Sequence, residues 1–172
     1  MNSQLLTYGR VLLPLLLHIF FFQHATFAGG WWLLGFHLLG LLLIPLQASP
    51  LFLLLVGASF GAIVDAATLE GGLFMSSAVW MALAIPAVNR LLAPREGYEI
   101  TDQPTIASMG IRWFTVRTLL LLFAHHVWLF TLEAGRWDLM GQAFGKVMAS
   151  TLLSTTAFLL VLMLTQSQRR KR

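Results

Sequence analysis

The chain has 172 residues, of which 58% are hydrophobic and 10% charged, and its mean hydropathy is +0.77. Because an ordinary soluble domain is about 25% charged, this composition excludes a large extramembrane enzyme, a nucleic-acid-binding module and a disordered scaffold. The absence of cysteine excludes disulfides, thiolate metal sites and cysteine nucleophiles. The formal net charge of +4 comes from basic residues near the edges of apolar runs, a pattern typical of an integral membrane protein.

Apolar runs separated by Gly, Pro and charged residues predict six membrane-spanning helices. Their ranges are about 11–28, 31–46, 51–69, 72–92, 111–132 and 140–165. We therefore expect an all-α, single-domain membrane protein over residues 1–172, with a polar loop at about 93–110 and a basic tail at 166–172. The first and last residues of the first two spans are not fixed by the sequence, because these runs are short.

The distribution of basic residues predicts the orientation of these spans. One side of the predicted bundle carries Arg10, Arg90, Arg95, Arg112 and the basic residues at 169–172. The opposite side carries Arg136 and Lys146. Because basic residues are retained on the cytoplasmic side, we expect both termini to be cytoplasmic. The tail serves as a topology anchor or, alternatively, binds anionic lipid.

Gly57, Gly61 and Asp65 are spaced by four residues and share one face of the third predicted span. Glycines at this spacing allow a neighbouring helix to approach closely. The neighbour is either another helix of this chain, which we favour, or a partner helix. Asp65 is expected on the same packed side, because its charge is costly in lipid.

Asp65 and His125 each lie well inside their spans, roughly 21 Å from the cytoplasmic edge at about 1.5 Å per residue. A contact between them is geometrically accessible, and it would suit a proton relay or a ligand site. The alternative that we favour is structural: a polar pair, or an Asp65 that caps a helix end near the outer interface.

For Arg117 and the histidines, we favour structural roles over ligand binding. Arg117 lies about 9 Å inside its span, so we expect it to reach the cytoplasmic interface, with a buried pairing role as the alternative. His18 and His37 stand alone and are expected to be packing residues. His125 and His126 are adjacent and no His pair has i, i+4 spacing, so we predict no metal site.

The last span begins with the small residues Gly141, Gly145 and Ala149. The hydroxyl residues that follow are Ser150, Thr151, Ser154, Thr155 and Thr156. Such hydroxyls can bond to carbonyls of their own helix or across to another helix. We find no base and oxyanion arrangement for a serine nucleophile and no phosphate-binding loop, so we predict no catalytic residues and no cofactor.

The predicted cytoplasmic loop contains Arg95, Glu96, Tyr98 and Glu99 beside a Pro and a Gly. Proline and glycine favour turns. The loop is either a plain linker or a docking surface for a partner.

Taken together, these features resemble the rod-shape-determining protein MreD, particularly the form found in Bacteroidetes. The motifs that carry the resemblance are Gly61-Ala62-Ile63-Val64-Asp65 with Gly71-Gly72, Pro94-Arg95-Glu96-Gly97-Tyr98-Glu99 followed by Gly110-Ile111-Arg112-Trp113-Phe114, and His125-His126 with Leu129-Phe130 and Glu133. The stretch at 66–78 departs from the family form, because it lacks the histidine usual there.

The resemblance implies a non-enzymatic subunit of the cell-elongation complex in the bacterial inner membrane. It implies binding to MreC, an indirect link to RodA, its partner transpeptidase and MreB, and a fold similar to the substrate-binding subunits of energy-coupling-factor transporters. Membrane lipids are expected partners and nucleic acid is not. The residues assigned to partner contact or helix packing are Gly57, Gly61, Asp65, Arg117, His125, His126 and Glu133.

Two alternatives come from other functional classes. Asp65, Arg117 and His125 are intramembrane polar groups, which suits a small-molecule- or lipid-binding subunit of a transporter. That function requires the three groups to converge on one cavity. An intramembrane hydrolase would require a histidine within hydrogen-bond reach of Ser154.

Overall fold

The computed structural model describes residues 3–22, 31–99 and 102–169, and the elements there are all helical. In chain order they are α1 (Ser3–Leu17) with a π-helical turn (His18–Phe22), α2 (Leu38–Leu42), α3 (Pro50–Thr68), α4 (Leu73–Leu91), α5 (Ile106–Met109), α6 (Ile111–Ala134), a 3-10 turn (Trp137–Leu139) and α7 (Met140–Arg169). Four of the described helices, namely α3, α4, α6 and α7, are long and apolar enough to cross a membrane. The all-α prediction is confirmed for the described residues, and these four apolar helices agree with the membrane prediction, whereas six spans were predicted.

The helices α4, α6 and α7 pack side by side and alternate in direction. Asn89 and Arg117 join α4 to α6 near one end of the bundle, whereas Trp80 stacks on Trp128 nearer the other. We call the end beside residues 92–105 the loop end and the end beside residues 135–139 the turn end. Both α4 and α7 run from the turn end to the loop end, and α6 runs in the opposite direction.

The second predicted span differs from the structure, because residues 31–37 are irregular and only Leu38–Leu42 form a helix. We call residues 31–47 the central segment. It lies beside Gly145 at its start, and its Gln47 donates to the Glu99 carbonyl at its end, so it runs from the turn end to the loop end. Residues 34–44 are all buried. Hydropathy alone could not separate this segment from a lipid-facing helix, since both are apolar.

The first helix packs along the central segment in the opposite direction. Gly40 touches the backbone of α1 so closely that a Cβ there would overlap the Val11 carbonyl. Farther along, the His18 and His37 rings are 4.5 Å apart. The helix begins earlier than the predicted residue 11, and residues 23–28 of the predicted first span lie outside the described residues.

The hairpin of α3 and α4 is built on the predicted glycine face. A Cβ on Gly57 would lie 3.0 Å from the Ala78 carbonyl oxygen, and one on Gly61 would overlap the backbone of Met75. Two α-helical backbones can approach this closely only where side chains are absent. Of the two interpretations left open, the structure shows contact with another helix of the same chain.

We expect Gly61→Ala to destabilise the folded protein by about 2 kcal/mol, since an added methyl group cannot be accommodated without moving α4. Gly141→Ala is the matched control, because a Cβ at Gly141 meets no atom within 4 Å. The measurement is unfolding in mixed detergent micelles, followed by helical circular dichroism. Equal midpoints for the two variants would contradict the close α3–α4 contact.

Candidate functional site

Buried polar side chains occur at three levels of the bundle. Arg117 and Asn89 lie towards the loop end, and Asp65 lies at the turn end. Four buried histidines lie between them, nearer to Asp65, because two of them contact Ser77 and Phe74 near the start of α4. Polar groups inside a membrane bundle are expected to find partners within the protein. The three levels are therefore candidates for either structural stabilisation or ligand binding.

Arg117 is 1% exposed and does not extend to the interface, so the predicted snorkelling is wrong and the buried alternative holds. Its Nε donates to Asn89 Oδ1 at 2.8 Å, and its Nη1 donates to the Leu42 carbonyl at 2.8 Å. Leu42 is the last residue of α2, where carbonyls lack helical partners. The guanidinium also lies 5.4 Å from the Trp113 ring centre. Arg117 thus joins α2, α4 and α6.

Asp65 binds the first turn of α4 with both carboxylate oxygens. The backbone amide of Phe74 donates to Oδ1 at 3.0 Å, and that of Met75 donates to Oδ2 at 2.8 Å. Free amides and the helix dipole at this position favour a negative charge. The structural interpretation of Asp65 as a cap is confirmed, although the capped helix is α4 rather than its own.

The histidine cluster consists of His18, His37, His125 and His126, which are at most 1% exposed. Their rings follow one another at centroid distances of 4.5, 6.2 and 5.2 Å. His125 Nε2 lies 3.1 Å from the Ser77 hydroxyl, and His126 Nδ1 lies 3.0 Å from the Thr151 hydroxyl. The expectation that His18 and His37 stand alone is wrong, because folding brings distant segments together.

Several ring nitrogens of the histidine cluster have no hydrogen-bond partner among the described residues. They are His18 Nδ1, both nitrogens of His37, His125 Nδ1 and His126 Nε2. Within the described part of the chain, no three His or acidic side chains are arranged to hold a metal ion. The unpartnered nitrogens leave the cluster with hydrogen-bonding capacity that the other described residues do not use.

Ser77 and His125 form a hydroxyl–imidazole pair, but their geometry does not suit nucleophilic catalysis. The Ser77 hydroxyl also approaches the Leu73 carbonyl at 2.8 Å, which takes its proton away from the imidazole. Both residues are fully buried, and His125 Nδ1 lacks the orienting acceptor that such pairs use. Ser154, named for the hydrolase alternative, bonds to the backbone of Leu33 and Gly35 instead.

Serine hydroxyls of α7 form hydrogen bonds with the irregular part of the central segment. Ser150 Oγ accepts from the Leu33 amide at 2.9 Å. Ser154 Oγ accepts from the Gly35 amide and donates to the Leu33 carbonyl, each at 3.3 Å. Serines four residues apart share one helix face, so they can follow an extended backbone. Bonding across to another helix, one of the two predicted alternatives, is found for Thr151, whose hydroxyl lies 3.0 Å from His126 Nδ1 of α6. Ser150 and Ser154 bond to irregular backbone instead of a helix.

At the turn end, Glu133 pairs with Lys146 at 2.6 Å on the surface. The Lys146 ammonium also lies 5.5 Å from the Phe130 ring centre. These residues border a shallow surface pocket of about 120 Å³ between α6 and α7. Glu133 thus joins two neighbouring helices, which agrees with its assignment to helix packing.

The polar loop is partly fixed to the bundle and partly free. The Tyr98 hydroxyl donates to the Asn89 carbonyl at 2.7 Å, and burial raises the pKa of Tyr98 above its ordinary value, so this donor stays protonated at neutral pH. The Glu99 amide donates to Asp102 Oδ2. Arg95 and Glu96 are exposed at the tip. A loop that is anchored through Tyr98 and carries two exposed opposite charges is suited to docking, but also to simple connection.

The site residues that sequence reasoning missed are mainly neutral. Asn89 and Ser77 give no periodic signal, because single Asn and Ser residues are common in membrane helices. Gly40 was also missed, since nothing near it repeats. The predicted candidates do not converge: Asp65, Arg117 and His125 each have separate partners.

Comparisons of this chain with protein-family models, with curated proteins and with solved structures give no match. The site therefore has to be interpreted from its own geometry.

Replacing both Ser150 and Ser154 with Ala is expected to destabilise the protein by about 2 kcal/mol, because buried backbone groups of the central segment lose their partners. Ser59→Ala is the control, since Ser59 bonds only to the Leu55 carbonyl of its own helix. Detergent unfolding measures the difference. A double variant as stable as the control would show that these bonds contribute nothing to folding.

We expect Arg117→Met to destabilise the protein by about 2 kcal/mol, because it leaves the Asn89 side chain and the Leu42 carbonyl without a donor. Arg112→Met, at an exposed position of the same helix, should change little. A double-mutant cycle with Asn89→Leu should give a coupling energy of about 1 kcal/mol. Strict additivity of the two changes would contradict the contact.

Proposed function

We propose that this chain is a non-enzymatic scaffold of the MreD type in the bacterial inner membrane, which binds MreC and helps regulate peptidoglycan synthesis and cell shape. The observation that carries the proposal is that the two intramembrane charges, Asp65 and Arg117, are both engaged at helix ends of this chain. Charges committed to the fold are not free to bind substrate. Such a bundle acts through its outer surface.

The scaffold crosses the membrane six times and keeps both termini in the cytoplasm. The support is that the central segment, which is irregular at 31–37 and helical at Leu38–Leu42, runs from the turn end to the loop end with residues 34–44 buried among helices. Irregular backbone is tolerated at membrane depth when protein surrounds it. Arg90, Arg95 and Arg112 at the loop end agree with a cytoplasmic location of that end. This plan also agrees with the fold expected from the resemblance.

The partner helix of MreC binds an outward face of the bundle, and RodA, its partner transpeptidase and MreB are reached through MreC. The inward glycine faces of α3 are already covered by α4. The loop tip with Arg95 and Glu96 supplies a second contact on the cytoplasmic side, where both side chains are exposed. Membrane lipids cover the remaining apolar surface.

A second candidate function is a small-molecule- or lipid-binding subunit of a transporter. The histidine cluster favours it, because several buried ring nitrogens lack partners among the described residues. Discontinuous spans often line binding sites in transporters, and the central segment is discontinuous. Against it, both oxygens of the Asp65 carboxylate bind backbone amides of α4, and Arg117 lies towards the loop end, where it binds Asn89 and the Leu42 carbonyl.

The test is affinity purification of the tagged full-length protein from gently solubilised membranes of its own bacterium. We expect MreC to be recovered with the wild type and recovered less with the double variant Arg95→Ala, Glu96→Ala. Arg136→Ala, at the turn end, is the control for loss of a surface charge. Absence of MreC from a correctly inserted wild type, together with a bound small molecule in native mass spectra, would contradict the scaffold and favour the transporter subunit.

A further inference from the structure

Two tryptophans form a stacked pair on the outside of the bundle. The Trp80 ring of α4 and the Trp128 ring of α6 are 4.6 Å apart with an interplanar angle of 17°. They are 42% and 36% exposed, so their outer faces are not covered by the described residues. We call this surface the tryptophan face.

The tryptophan face lies deeper in the membrane than the positions that membrane tryptophans usually occupy. Trp80 is seven residues from the start of α4, and Trp128 is six residues from the end of α6. At about 1.5 Å per residue, both lie roughly 10 Å from the turn end. The helix α4 has 19 residues, which matches a hydrocarbon layer of about 30 Å. The pair therefore faces hydrocarbon rather than the interfacial region that indoles prefer.

Neither indole N–H of the pair takes part in a hydrogen bond with another described residue, although the indole of Trp113 donates to the Leu92 carbonyl. A donor that faces hydrocarbon has no water to bond to, which costs free energy. Lipid ester carbonyls stay near the interface. An acceptor at this depth is therefore best supplied by a polar side chain of another membrane helix.

The shape beside the pair also suits a helix. One turn towards the loop end, α4 carries Ala84 and α6 carries Ala124, both half-buried. The surface thus changes from two large rings to two methyl groups within one helical turn. Small residues at this position allow a helix to approach closely while the rings contact its flank.

We propose that the tryptophan face binds the transmembrane helix of a partner which presents a hydroxyl or carboxamide side chain to the two indole N–H groups. The proposal rests on the proposed function and specifies where the membrane helix of MreC docks. The partner helix lies along α4 and α6, and its polar side chain is about 10 Å below the outer end of the bundle.

The first part of the experiment uses a photo-reactive amino acid in the full-length protein within native membranes. In one variant the photo-reactive amino acid replaces Leu83, which is 54% exposed and one turn from Trp80. In the other variant it replaces Leu55, which is 58% exposed on α3. We expect cross-links to MreC from position 83 and none from position 55. Cross-links to MreC from position 55 alone, or to lipid alone from position 83, would overturn the proposal.

The second part removes the donors and keeps the rings, with Trp80→Phe and Trp128→Phe combined. Because an interhelical hydrogen bond in a membrane contributes about threefold to an equilibrium, we expect roughly tenfold weaker recovery of MreC. Trp137→Phe is the matched control, since Trp137 is 91% exposed outside these helices. Unchanged recovery with the double variant would overturn the role of the indole donors.

The two proposals fail in different ways. If the wild type recovers MreC but the cross-links lie on α3, the scaffold function stands and the tryptophan face is wrong. If the correctly inserted wild type recovers no MreC, the scaffold function itself fails and the tryptophan face loses its partner.

Discussion

The irregular backbone of the central segment has to be satisfied inside an apolar bundle, and much of the structure depends on this requirement. No water reaches the buried residues 34–37, which form no helix, to replace the hydrogen bonds that a helix would supply. Ser150 and Ser154 supply them from α7, and Arg117 supplies a donor at the end of α2. The positions of α6 and α7 around the central segment follow from these contacts.

The same need to pair buried backbone groups explains the positions of the intramembrane charges. An ionisable residue inside a membrane is a functional candidate by default. Here Asp65 meets the free amides at the start of α4, and Arg117 meets the free carbonyl at the end of α2. Each charge lies where the helix dipole favours its sign. Among the described residues, the buried side-chain atoms that still lack a hydrogen-bond partner are imidazole nitrogens of the histidine cluster and the hydroxyls of Thr118 and Thr155.

Asp65 and Arg117 bind groups of this chain, so the outer surface of the bundle is where exposed groups remain for contacts with another molecule. The glycine face of α3 is covered by α4, so it is not available to another helix. The tryptophan face combines exposed rings, indole donors without a partner among the described residues, and alanines one helical turn farther towards the loop end. A scaffold that holds a second membrane protein needs such a surface, and a transporter subunit would need a polar cavity instead.

The sequence by itself determined the membrane class, the ranges of α3, α4, α6 and α7, and the packed face with Gly57, Gly61 and Asp65, because composition and helical periodicity are local properties. Only the tertiary structure decided that residues 31–37 are not helical, that Arg117 is buried, and that four histidines meet. Those outcomes depend on partners distant along the chain: Ser154 for Gly35, Asn89 for Arg117 and His18 for His37. No local pattern encodes such a partner, since an apolar run looks the same whether lipid or protein surrounds it.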